Sequence, residues 1–228
     1  VSLINTIQSI MSVDLDAMAP TPTVDGKGTH GGYCGPAVKP IAMRMVADIA
    51  RDPECQGMAI SGIGGVSTWR DAAEFISLGA STVQVCTAAM HHGFRIVEEM
   101  ADGLANWMDG RGFGEVKDFT GMAIPNYVHW EDLNLNYKIV AHIDQESCIK
   151  CGLCHIACED TAHQAIGALR TAGARRYEVI EEECVGCNLC MHVCPVENCI
   201  TMERRDEGKP FLTWKDHPNN PMRREAAE

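Results

Sequence analysis

The spacing of apolar positions changes repeatedly along the first 110 residues of this chain. "VSLINT" reads as a strand, as do "MAISG" (58–62) and "STVQVCTA" (81–88). Between them, "PAVKPIAMRMVADIA" (36–50) puts Ile41, Met45, Val46 and Ile49 at helical spacing, with Lys39, Arg44 and Asp48 on the other side. "STWRDAAEFISLG" (67–79) reads as a second helix with Gly79 as its stop signal, and a third covers roughly 93–109. Residues 7–35, rich in Gly, Pro and Thr, read as one long loop. Repeated strand–helix alternation predicts parallel strands with crossover helices, as in a (β/α) barrel or a doubly wound sheet. Three such units are too few to close an eight-stranded barrel.

The pattern weakens over residues 111–140, a connector of loop and short helix, and a second compact domain spans 141–205. Residues 206–228 are polar, and from "WKDHPNN" onward a frayed tail is expected. The expected division is therefore 1–110, 111–140, 141–205 and 206–228.

Composition narrows the function classes. The net charge of −12 is spread evenly, −7 over residues 1–140 and −5 over 141–228, so neither half offers the basic surface that nucleic acid or an anionic membrane requires. No apolar run approaches the roughly 20 residues of a membrane span, and no secretory signal is visible. The expectation is a soluble, cytoplasmic protein. The chain opens on Val1, within a strand pattern, so its natural N-terminus is expected upstream.

Twelve cysteines change the picture most. Cys34, Cys55 and Cys86 are scattered, whereas nine lie between Cys148 and Cys199. In a reducing compartment clustered cysteines bind metal more often than they pair. "CIKCGLCHIAC" places cysteines at 148, 151, 154 and 158, and "CVGCNLCMHVCP" repeats that spacing at 184, 187, 190 and 194. The offset is 36 residues, and "IDQESC" before the first run echoes "VIEEEC" before the second. In a C-x2-C-x2-C-x3-C run three thiolates converge on one cubane and the fourth serves the other cluster. The expected sets are Cys148, Cys151, Cys154 with Cys194, and Cys184, Cys187, Cys190 with Cys158. Structural zinc separates its C-x2-C pairs by longer loops and fits this spacing poorly. Cys199 is surplus and reads as a buried thiol.

"SGIGGVSTW" (61–69) places glycines where a strand ends and a helix begins. The N–H groups of Gly64 and Gly65, with the following helix start, offer a phosphate site, and a plain glycine turn explains the loop equally well. Gly35 in "GYCGPAV" opens another helix, and Cys86 and Thr87 stand at a strand end. "GKGTHG" (26–31) matches a dinucleotide fingerprint only as text, since no strand precedes it and no helix follows.

The ordered combination of "NT" in a strand, "GGYCGPAVKPIA", "SGIGGV…DAAEF…GA…VQVCTA" and the two quartets resembles the catalytic subunits of bacterial NAD-dependent dihydropyrimidine dehydrogenases. These are flavin-barrel relatives of the dihydroorotate dehydrogenases. "CEDTAHQAI" (158–166) and "EEECVGCNLCMHVCPVENCITM" (181–202) continue the likeness, which covers essentially residues 1–205. The resemblance implies α/β plus α+β architecture. Strands six to eight of a (β/α)8 FMN barrel would be followed by a ferredoxin-like domain with two [4Fe–4S] clusters. It implies that Asn5 and Thr6 hydrogen-bond the pyrimidine, and that Gly35, Gly64, Gly65, Cys86 and Thr87 cradle the FMN phosphate.

The implied reaction interconverts uracil or thymine with its 5,6-dihydro form. A partner subunit carrying FAD and NAD would complete a hetero-oligomer. The family's active-site cysteine and flavin-contacting lysine are expected upstream of Val1, so no catalytic residue is assigned here and the chain alone is expected to be inactive. A dihydroorotate dehydrogenase-type oxidoreductase, or a ferredoxin-like electron carrier for this chain alone, are the alternatives.

Overall fold

The computed structural model describes residues 1–161, 163–171 and 173–225, in two compact units, Val1–Tyr127 and Val128–Glu228. Among the described residues no helix is long and apolar enough to cross a membrane.

The first unit opens with β1 (Ser2–Leu3) and then leaves the sheet. Residues 7–35, expected to be loop, form two hairpins. In one, β2 (Ile7–Ser9) pairs antiparallel with β5 (Gly31–Tyr33), and in the other β3 (Ser12–Asp14) pairs with β4 (Ala19–Thr21). Strands of three residues are too short to show alternation in sequence, which is why the excursion reads as loop. The chain returns through α1 (Lys39–Arg51), β6 (Ser61–Ile63), α2 (Trp69–Ser77) and β7 (Thr82–Gln84) to α3 (Thr87–His92) and α4 (Ile96–Arg111). The sheet is parallel with order β1-β6-β7, Ser61 standing opposite both Ser2 and Thr82.

The buried stripe of α1 is Ala42, Val46 and Ala47. Ile41 and Met45, expected on the core face, are 44% and 48% exposed, and Lys39, expected on the polar face, is part-buried in an ion pair. The reason is close approach. A Cβ built on Gly64 would lie 2.8 Å from Ala42 Cβ, so only a small residue fits where helix meets sheet. Phe75, Ile60, Val66 and Val46 fill the space between helices and sheet.

The expected connector belongs to neither a linker nor one unit. Phe113, Val116 and Phe119 pack with Trp107 and Ile76 to extend the first core. Trp107 and Phe119 meet edge to face at 5.1 Å.

In the second unit, β8 (Lys138–Ile143), α5 (Leu153–Glu159) and β9 (Ile166–Thr171) are followed by β10 (Ala174–Val179), α6 (Leu189–Val193) and β11 (Ile200–Arg205). The two strand–helix–strand repeats interlock: β8 pairs antiparallel with β11, and β9 with β10. The backbone repeats as well, since Lys150 and Gly186 share a left-handed conformation and so do Gly152 and Asn188.

The expected frayed tail is tied down along much of its length. Leu135 N–H donates to Leu212 O at 2.8 Å, Trp214 N–H donates to Glu131 O at 3.0 Å, and Asn220 is buried. A short helix, α7 (Pro221–Glu225), ends the described part, and residues 226–228 of the expected tail lie outside it. Polar composition misleads here because the tail holds its place by backbone hydrogen bonds and by Trp214, whose ring lies 6.4 Å from that of Trp130.

Candidate functional site

A cleft of about 160 Å³ opens at the carboxyl ends of the three parallel strands in the first unit. Its walls include Asn5, Thr6, Gly35, Gly64, Gly65, Cys86 and Thr87. All seven residues singled out in this half of the sequence therefore face one space, although they come from four separate chain segments. The shared cause is topology: parallel strands joined by crossovers deliver the loops after β1, β6 and β7 to the same end of the sheet.

Each wall has a local reason. Asn5 Oδ1 accepts from Thr6 N–H at 2.7 Å, which fixes the turn where the chain leaves β1. Gly65 has φ 74, and a Cβ there would lie 2.7 Å from Gly35 O and 2.9 Å from Lys39 Cβ. The two glycine segments thus touch backbone to backbone, and no other residue allows that approach. Thr87 Oγ1 donates to Cys34 Sγ at 3.5 Å across the mouth. At the floor, Gln84 Nε2 donates to Ser2 Oγ and Ser61 Oγ, both at 2.8 Å, joining all three strands. Sequence reasoning missed Gln84 and Cys34. Gln84 had a signal, a polar residue two positions before Cys86, at the end of the strand from which Cys86 and Thr87 follow.

The start of α2 differs from expectation. Asp71 Oδ2 accepts from Ser67 N–H at 2.9 Å and Thr68 N–H at 2.8 Å, and Thr68 closes the capping box. That helix start already holds an anion, the Asp71 carboxylate, so a phosphate is left the glycine segments and not the α2 terminus. Lys39 Nζ lies 2.5 Å from Asp71 Oδ1 and 2.7 Å from Glu74 Oε2. Burial works against both charges, but their mutual hydrogen bonds and the Ser67 and Thr68 donors win, holding Asp71 below the usual carboxylate range and Lys39 above the usual amine range.

In the second unit, Cys158, Cys184, Cys187 and Cys190 line one cleft with Ala141, Ala165, Ile166 and Met202. Cys158 comes from the first run and the other three from the second. Ala165 N–H points at Cys158 Sγ (3.2 Å) and Ala141 N–H at Cys184 Sγ (3.5 Å). Cys154 is buried among Cys148, Cys190 and Cys151, and burial pushes its thiol up to about 11 with those neighbours adding to the rise. Burial likewise raises Cys190, beside Cys184, Cys187 and Cys158. Cys194 and Cys148 both approach Cys199, which is 2% exposed with its Sγ 3.7 Å from Asp144 O.

Among the described residues no three Cys, His, Asp or Glu side chains converge as ligands of a single metal ion do. Four cysteines around one cleft, drawn from both runs, are a donor set that could hold a cubane. All twelve cysteines are free thiols.

Comparison with known proteins agrees with this division. The family model described as Dihydroorotate dehydrogenase matches residues 1–108, and that described as 4Fe-4S dicluster domain matches residues 141–202. The chain is 44% identical over 96% of its length to the NAD-dependent dihydropyrimidine dehydrogenase subunit PreA of Escherichia coli, covering 52% of that protein. It is 38% identical over 67% of its length to the chloroplastic dihydropyrimidine dehydrogenase (NADP(+)) of Arabidopsis thaliana, covering 36% of it. The catalytic subunit of dihydroorotate dehydrogenase B (NAD(+)) from Pyrococcus furiosus is 42% identical over 54% of the chain and is covered to 38%. The chain thus spans about half the length of the Escherichia coli protein.

Proposed function

We propose that this chain, a relative of the dihydropyrimidine dehydrogenase subunits in which a dihydroorotate dehydrogenase-type part precedes a 4Fe-4S dicluster domain, forms part of a pyrimidine oxidoreductase. One observation carries the reading: Asn5, Thr6, Gly35, Gly64, Gly65, Cys86 and Thr87 line a single cleft in a chain that also carries two cysteine quartets. The first unit corresponds to strands six to eight of an FMN-binding barrel. The clusters take Cys148, Cys151, Cys154 and Cys194, and Cys184, Cys187, Cys190 and Cys158.

In this reading the side chains divide the work. Asn5 offers both a donor and an acceptor to a uracil or thymine ring edge, and Thr6 a hydroxyl. The backbone at Gly35, Gly64 and Gly65, with Cys86 and Thr87, holds the FMN phosphate, and Asp71 with Lys39 keeps the glycine segment in place. Bound FMN supplies hydride chemistry, and the clusters accept electrons singly. A partner subunit with FAD and NAD, joined in a hetero-oligomer, would receive them. Cysteines grouped as cluster ligands suit a reducing, cytoplasmic compartment.

A dihydroorotate-type substrate is the second reading, favoured by the match over residues 1–108. The neutral pyrimidine is preferred because the likeness to the dihydropyrimidine dehydrogenase subunit covers 96% of the chain, against 54% for the dihydroorotate dehydrogenase subunit. Anaerobic reconstitution with iron and sulfide, followed by titration with FMN, tests the proposal. About eight irons per chain are expected from two four-iron clusters, together with flavin binding that Gly65→Ala weakens. A chain that takes up neither group overturns the reading.

A further inference from the structure

We infer that Asn188 donates its side-chain amide to the cluster of Cys158, Cys184, Cys187 and Cys190, and thereby raises that cluster's potential. The inference rests on the cluster reading proposed above.

Asn188 lines the same cleft as those four cysteines. Its Oδ1 is buried with no hydrogen-bond partner, and it alone is in that state among side-chain atoms of the described residues. Its Nδ2 meanwhile stands 3.4 Å from His192 Nε2. The two ends of a carboxamide have nearly the same shape, so the hydrogen-bond network decides which is which. A half-turn of the amide resolves the conflict. Oδ1 then accepts from His192 Nε2–H, and Nδ2 takes the buried position, on a side chain that lines the cysteine cleft. A carbonyl oxygen left there would be unpaired beside anionic sulfur, whereas an N–H has acceptors.

The bland explanation of Asn188 is conformational. Its φ is 66, and Asn tolerates the left-handed region better than other residues with a Cβ. The internal repeat separates the two explanations. Thirty-six residues earlier the same backbone turn is made by Gly152, with φ 85. There a Cβ would come within 2.6 Å of Tyr177 Oη, so the first repeat has no room for a side chain. The turn itself needs nothing beyond glycine; the second repeat carries an amide in addition.

Hydrogen bonds to cluster or ligand sulfur stabilise the extra negative charge of the reduced state and raise the potential. Ala165 and Ala141 N–H groups already point at Cys158 and Cys184 Sγ. The Asn188 amide adds a donor to its cluster that Gly152, having no side chain, cannot supply to the other, where the Tyr177 hydroxyl takes the space instead.

The test is an EPR-monitored redox titration of the reconstituted chain beside Asn188→Gly, which keeps the turn and removes the amide. Both proteins are expected to hold about eight irons. One midpoint is expected to fall by three- to tenfold in the reduction equilibrium, roughly 30–60 mV for a one-electron couple, with the other unchanged. Asn188→Asp keeps the shape but has no N–H to give, and it is expected to lower the same midpoint. Full iron with unmoved midpoints in either variant overturns the role of Asn188 and leaves the cluster reading standing. Absence of cluster iron from the unaltered chain overturns both.

Discussion

Asp71 shows how much one side chain can settle. Its carboxylate accepts from two backbone N–H groups and from Lys39, and it is only 13% exposed. Asp71→Asn is expected to cost about 1–3 kcal/mol through the lost cap and the stranded lysine, read as a lower midpoint in urea unfolding. The folded chain holds Asp71 below its ordinary pKa and Lys39 above its own. Unfolding at acid pH therefore takes up a proton at Asp71. That contribution is complete above about pH 5 and disappears as pH falls through the folded value; the Lys39 contribution is complete below about pH 10 and disappears above it. A flat stability profile for the first unit from pH 3 to 7 would contradict the pair's role. Gly65→Ala places a Cβ against the Gly35 carbonyl at a positive φ, and is expected to cost at least about 1–2 kcal/mol. The glycines could be singled out in the sequence because a loop between strand and helix needs them. The Lys39–Asp71 pair could not, because its partners are 32 residues apart and each looks like solvated charge on its own helix.

Elements were legible where they were long or repeated. The helices around 39–51 and 69–77 and the three parallel strands stand close to where periodicity puts them. The short hairpins of residues 7–35 left no period to find, and the face of α1 was misjudged because the sheet selects Ala42 over the larger Ile41 and Met45. The cysteine runs carry their own structural argument. In the fold the first strand of one repeat pairs with the last strand of the other, and Cys158, the fourth cysteine of the first run, lines the cleft of Cys184, Cys187 and Cys190; the proposed sets extend the same exchange to Cys194. Ligand exchange between repeats has a visible consequence. Cys194→Ser is expected to remove the same cluster signal as Cys148→Ser, and Cys158→Ser the same signal as Cys184→Ser, in low-temperature EPR of the reduced chain. If Cys194→Ser instead grouped with Cys184→Ser, each run would serve its own cluster and the proposed sets would be wrong.

At the scale of the whole chain, the two units differ in what holds them together. The first has an ordinary apolar core of Val46, Ile60, Val66, Phe75 and Ile96, continued by Ile76, Met108 and Phe119. The second buries Cys154, Cys190 and Cys199 among only a few larger residues, chiefly Ile143, Ile166, Tyr177 and Ile200. Its interior is organised around thiols that burial keeps protonated in the absence of a cluster. Cluster assembly has to displace those protons, and the binding free energy then becomes folding free energy for this unit alone. Iron removal by a chelator under reducing conditions is accordingly expected to open the chain from Val128 onward while Val1–Tyr127 keeps its structure. Limited proteolysis reads this directly: the iron-free chain should yield a protected product ending near Tyr127, and the loaded chain should resist cleavage between Cys148 and Cys199. Equal resistance of that segment with and without iron would mean that its few apolar side chains suffice, and that the clusters are carried by the second unit without holding it together.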